Sequence, residues 1–198
     1  LFIIKWVEAF GSLNNFGVIM LFFSLLFLGC AADLQVEDSA DVLAAEIQQC
    51  ATLKDHQICD FYAIDETGEE VFLSDLYGQP IVLDLSAGWC GPCIAAAGEM
   101  QQKADLVPDV TFLTVLIEDN GAQQPDAADI TDWQTDHGIT SAPVWGSSRD
   151  LLSQDPLEMK DHLFLTGWPT FYFIDSEGKL QEYMRGYDAN TILQKASA

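Results

Sequence analysis

The sequence predicts an α/β protein with a central mixed β-sheet flanked by helices. Two nearly continuous apolar runs, "PIVLDLSA" (80–87) and "VTFLTVLI" (110–117), have the composition of strands buried on both faces. A helical pattern follows each of them, over 91–107 and 125–138. A strand pair around a "SEGK" turn then leads into a C-terminal helix. Strand, helix, strand, helix, then hairpin and helix is the order of a mixed sheet covered by helices.

Taken from the front, residues 41–50 space Val42, Leu43, Ala45, Glu46 and Ile47 as a short helix. The stretch "FYAIDETGEEVFLSDL" reads as a hairpin turning at Thr67-Gly68, followed by a helical turn at Ser74–Leu76. The helix over 91–107 opens at a cysteine pair and stops before Pro108. The next carries Pro125 near its start and Gly138 at its end. "SAPVWGS" predicts a short strand and "DPLEMKDHLF" a short helix. "TFYFID" and "LQEYMRGY" form the late hairpin, and "DANTILQKASA" a helix of about two turns. His137 at a helix end reads as a solvated cap, His162 as surface or packing, and Trp133 and Trp145 as core.

Residues 1–29 are of another character. One base, Lys5, precedes an eleven-residue apolar run from Val18 to Leu28. That run is shorter than the ~20 residues a membrane-spanning helix needs, and has the length of a secretory h-region. It ends in "FLGC", which resembles the bacterial lipobox, so Cys30 is expected to carry the lipid and 1–29 to be a lipoprotein signal peptide. The other reading is an uncleaved hydrophobic anchor with an incidental cysteine. Residues 30–56 then form an acidic tether and short helix, and 57–198 the folded domain. By the sorting logic of the lipoproteins it resembles, Ala31 rather than Asp after the cysteine implies the outer membrane of a bacterial envelope, facing the periplasm.

Charge excludes one class of partner. With 8 basic and 31 acidic residues the net charge is −23, which repels phosphate backbones, so no nucleic-acid binding is expected. Such a surface is also tolerated in a salty habitat, where self-repulsion is screened.

The chemistry concentrates in "LDLSAGWCGPC" (83–93). Two cysteines separated by Gly91 and Pro92 can bridge when the first begins a helix and the second lies in its first turn. The partial positive charge of a helix start favours the thiolate, which is the species that attacks a disulfide. Pro92 suits that first turn, where its missing N–H costs nothing. A zinc site would need more ligands, and His56, His137 and His162 offer no paired spacing, so no metal is expected. Cys50 and Cys59 can close a small structural disulfide, stay free or otherwise paired, or meet a metal together with His56. Asp84 interrupts an apolar strand. A carboxylate there is desolvated, its pKa rises, and it becomes a candidate proton acceptor; the plainer reading is a hydrated acid at a strand edge.

"WCGPC" between a strand and a helix, with "GWPTFYFIDSEGKL" and "RGY" further on, resembles the thioredoxin superfamily over most of 57–197. The export signal, the early hairpin and the segment inserted between "LIED" and "GWPT" resemble the exported thiol-disulfide reductases of the TlpA/ResA type. The resemblance implies a thioredoxin-like fold with an N-terminal β-hairpin extension. It also implies Cys90 as attacking thiol, Cys93 as resolving thiol and Asp84 as the buried acid beneath them. Trp89, Gly91 and Pro92 would meet substrate, Trp89 shielding the pair. Pro169 would be the family's cis-proline, presenting the Trp168 backbone to an incoming chain. No cofactor beyond the redox disulfide is implied.

Partners would be protein disulfides and dithiols, with cytochrome c biogenesis one setting, and a membrane electron donor for re-reduction. Gly-Pro between the cysteines resembles reducing members, near −270 mV, rather than strong oxidants near −120 mV. Ser86 and Gly88, small where the family is larger, are expected to open space beside the pair. A thiol peroxidase is an alternative, although no Pro-x-x-x-Thr/Ser-x-x-Cys loop is present. A thioredoxin-fold lipoprotein without turnover is another.

Overall fold

A computed structural model describes Cys50 and residues 52–153 and 163–197. The expected signal peptide, Cys30, the helix over 41–50 apart from Cys50, and His162 lie outside the described residues.

Among the described residues nine strands and four helices follow in order: β1 (Tyr62–Ile64), β2 (Glu70–Phe72), β3 (Ile81–Ala87), α1 (Gly91–Ala97), α2 (Met100–Leu106), β4 (Thr111–Glu118), α3 (Ala127–His137), β5 (Val144–Gly146), β6 (Leu152–Ser153), β7 (Leu163–Phe164), β8 (Thr170–Ile174), β9 (Leu180–Arg185) and α4 (Ala189–Ala196). A 3-10 turn at Leu73–Leu76 follows β2. Seven strands form one mixed sheet in the order β2-β1-β5-β4-β3-β8-β9, and β6 pairs with β7 apart from it. β3, β4 and β5 run parallel, while β8 and β9 return antiparallel.

β3 and β4 lie at the centre because their residues tolerate burial on both sides: all of β3 is buried, and β4 from Phe112 onward. Side chains alternate along β3, so Val82 joins one core cluster and Ile81, Leu83 and Leu85 the other. The Val82 side is packed by Ala96 and Ala97 of α1, Met100 of α2, Ile130 and Trp133 of α3 and Ile192 of α4. The opposite side is closed by Ile58, Phe61, Leu73, Trp145, Leu151 and Leu163.

The single helix expected over 91–107 is two. α1 ends at Gly98, and Glu99 leaves helical geometry at φ −115°, ψ 0° before α2 begins. Glycine is a poor helix former, and here it falls where Met100 and Lys103 must turn inward. The helix expected over 155–164 falls mostly outside the described residues, and its last two residues are strand β7. α3 carries the complete grammar of its ends: Asp126 and Asp129 form a reciprocal capping box, and Gly138 closes the helix at φ 65°.

Ordered packing begins ahead of residue 57. Asp55 N–H donates to the Leu180 carbonyl at 2.7 Å, and Ile58 N–H to that of Gly178 at 3.0 Å, so this segment lies against the β8–β9 turn. Cys50 and Cys59 are bonded at 2.00 Å.

Candidate active site

β3 delivers the chain through a turn at Gly88-Trp89 into α1, and the two cysteines sit at that junction. Cys90 is the N-cap of α1, in extended geometry, and its Sγ accepts the Cys93 N–H at 3.2 Å. Pro92 occupies the first helical turn, where no donor is lost. Cys90 and Cys93 are joined as a disulfide with Cα atoms 5.2 Å apart. Cys90 is 4 % exposed and Cys93 fully buried, while Gly91 and Pro92 face solvent. A thiol at such a position gains from the unpaired N–H groups of the first turn, and of the two cysteines only Cys90 keeps any exposure.

Asp84 is completely buried on the central strand, not hydrated at an edge. It shares the face of Val82 and Ser86, the side of the sheet on which Cys90, Cys93, Met100 and Phe171 cluster. Ser86 Oγ donates to Asp84 Oδ2 at 2.9 Å, and Oδ1 has no donor among the described residues. Burial pushes the Asp84 carboxyl up to about 7, against the Ser86 hydrogen bond and the attraction of Lys103. A group poised there can take or give a proton at neutral pH.

The space expected around Ser86 and Gly88 is filled. Ser86 is itself fully buried as the partner of Asp84. At Gly88 the chain of residues 119–120 closes in, so an added Cβ would stand 2.7 Å from Asn120 N and from Asp119 C. Gly88 N–H donates to the Glu118 carbonyl at 2.7 Å, which brings the two turns together.

Trp89 is 46 % exposed beside the pair, edge-on to Trp168 with ring centres 6.2 Å apart. Its indole N–H donates to Glu118 Oε2 at 2.7 Å, and the other carboxylate oxygen takes Arg149. Arg149 and Trp89 hold Glu118 below the usual carboxylate range despite its burial. The Trp168–Pro169 peptide is cis, Pro169 is buried, and its carbonyl accepts the Gly186 N–H at 2.8 Å.

Glu118, Lys103 and Tyr187 had no place in the sequence-based site. Glu118 carried a weaker signal than Asp84, an acid at the end of an apolar run rather than inside it. Lys103 falls on the buried face of α2, three residues after Met100. Tyr187 had no such signal beyond the "RGY" of the resemblance. His137 is half-buried against Trp133, ring centres 4.5 Å apart, and burial pushes its imidazole below the usual value. Among the described residues no group of three or more His, Cys, Asp and Glu side chains could hold a metal ion.

Fold and site together define a protein of thioredoxin-like fold, built round an intramolecular disulfide at a helix start. The sequence profile of the AhpC/TSA family matches residues 55–183, and the chain belongs to that family.

A thioredoxin of Mycoplasma genitalium is 32 % identical over 76 residues, 38 % of this chain. The chain spans 62 % of the length of that relative. Among solved structures, the exposed lipoprotein thioredoxin of Streptococcus pneumoniae is 29 % identical, with a TM-score of 0.51, covering 70 % of this chain and 98 % of that one. A thiol:disulfide interchange protein of Chlorobium tepidum shares the fold at 18 % identity and a TM-score of 0.56, covering 74 % and 99 %.

Proposed function

We propose that this protein is an exported thiol-disulfide oxidoreductase of the TlpA/ResA type that reduces disulfides in protein substrates. The observation that carries the reading is the placement of Cys90: N-cap of α1, its sulfur receiving the Cys93 N–H, with Cys93 fully buried behind it.

In the reduced form, Cys90 thiolate attacks one sulfur of a substrate disulfide. A Cys90–substrate bond forms, the substrate S–S bond breaks, and one substrate thiolate leaves. Cys93 then gives its proton to Asp84 and attacks Cys90 Sγ, forming the Cys90–Cys93 disulfide and releasing the second substrate sulfur. Two electrons pass to the substrate, and a membrane dithiol carrier returns them to the protein. Trp89, Gly91, Pro92 and Trp168 form the surface on which the substrate chain lies, with the buried cis-Pro169 setting the course of the Trp168 backbone.

The relative described as an exposed lipoprotein thioredoxin supports an envelope location, with Cys30 as the lipidated residue. Mass spectrometry of the native N-terminus tests that part. Reduction of insulin disulfides by the purified protein tests the activity: wild type is active and Cys90→Ser is not. Equal rates for the two, or none for either, sink the reading. The AhpC/TSA match also favours a thiol peroxidase as a second reading, and peroxide consumption that depends on Cys90 would establish it.

A further inference from the structure

Lys103 is 2 % exposed in a chain with only 8 basic residues. An ammonium taken out of water costs several kcal/mol unless it is bonded and paired. Here it is both. Nζ donates to Glu99 Oε2 at 2.9 Å and to the Tyr187 hydroxyl at 2.8 Å, with the Tyr187 ring centre 5.1 Å away. Tyr187 donates in turn to the same Glu99 oxygen at 2.6 Å. The three groups close a ring that ties the start of α2 to the chain just past β9.

That ring stands beside Asp84. Tyr187 packs on Phe171 with ring centres 6.4 Å apart, and Phe171 is the register partner of Asp84 on β8. Asp84 interacts electrostatically with both Lys103 and Tyr187. The groups around it are therefore Ser86 from β3, Lys103 from α2, Tyr187 after β9 with Glu99 and Asp188 acting on it, and the cysteine pair from α1 in the same layer.

We propose that Lys103, fixed by Glu99 and Tyr187, is a positioning residue whose charge sets the pH range in which Asp84 accepts the Cys93 proton. This rests on the reading of Asp84 as that acceptor. A carboxyl in an apolar layer stays protonated to high pH, and protonated it has no room for the thiol proton. A cation nearby favours the carboxylate. Two short bonds keep the long lysine side chain from swinging to solvent, so its field at Asp84 is constant. Glu99 opposes that field and is the half-exposed member, with 48 % of its side chain open.

The test is a titration of the Asp84 carboxyl by carbon NMR in the reduced full chain, assigned against Asp84→Asn, together with the pH profile of disulfide exchange. Lys103→Met moves both midpoints up by about one pH unit. Glu99→Gln moves them down, and Lys103→Arg returns them toward wild type. Folding of each variant is checked by circular dichroism; if Lys103→Met fails to fold, Lys103→Arg and Glu99→Gln still decide. A titration unmoved in folded variants, or moved the same way by Lys103→Met and Glu99→Gln, overturns the proposal. A shifted titration in a protein without disulfide turnover supports the charge link and overturns the exchange reading alone.

Discussion

The indole N–H of Trp89 meets the Glu118 carboxylate at 2.7 Å, so the turn that presents Cys90 is anchored to the last residue of β4. Without that acceptor, a half-exposed ring beside the disulfide is free to change rotamer. Glu118→Ala should raise KM for a protein substrate while sparing turnover of a small disulfide. It should also shift tryptophan emission to the red. Glu118→Gln keeps an oxygen for the indole and should lie between. Steady-state kinetics on the two substrates check the contrast, and an unchanged KM removes Trp89 from the substrate surface.

Gly88 and Gly98 make opposite predictions. An added methyl at Gly88 meets backbone at 2.7 Å, so Gly88→Ala should destabilise by about 1–3 kcal/mol. At Gly98 the nearest atom is 3.7 Å away and the backbone is helical at φ −61°. Gly98→Ala should stabilise by roughly 0.4–1 kcal/mol, because the unfolded chain loses freedom. Urea denaturation of both variants separates steric closure from a mere absence of side chain.

What was legible in the sequence, and what was not, follows from the range of the interactions. β3, β4, the two hairpins and α3 carry local signatures: apolar runs, alternation, caps and turn residues. Cys90, Cys93 and Asp84 were legible because their chemistry is out of place in an ordinary core. Ser86 and Gly88 were misread as space. What fills them is Asp84 on the same strand and a backbone about thirty residues away, and spacing alone does not show which turns approach. Lys103 and Tyr187 meet across 84 positions, a contact that exists only once β9 has been laid against β8. The break at Gly98 is intermediate: the glycine was visible, but the need to turn Met100 and Lys103 inward was not.

The Cys50–Cys59 bridge has a structural consequence that can be separated from the chemistry. It closes a loop across a separation of 9 residues and pins the segment hydrogen-bonded to the β8–β9 turn. Restricting the unfolded chain by a loop of that size is worth roughly 2–3 kcal/mol. The double variant Cys50→Ala/Cys59→Ala should lower the unfolding free energy by that amount and leave Cys90-dependent exchange in place. Denaturation and insulin reduction on one preparation check it. Exchange lost with the fold intact would give the second disulfide a redox role.

Asp84 and Ser86 make stability itself depend on pH. In the unfolded chain the carboxyl titrates near 3.8, and in the folded chain at about 7. Between those values only the folded chain holds the proton. Folding is therefore favoured most below the unfolded value, and that advantage is lost as pH rises through the folded one. The full difference is roughly 4 kcal/mol, at about 1.4 kcal/mol per unit. Wild type should lose stability between pH 4 and 7, where Asp84→Asn, which never ionises, shows a shallower slope. Ser86→Ala removes the hydroxyl that favours the carboxylate, so the midpoint should rise above that of wild type and exchange near neutral pH should slow. Denaturation at several pH values, set beside the pH–rate profile, measures both effects. Parallel slopes for wild type and Asp84→Asn would place the buried proton on some other group.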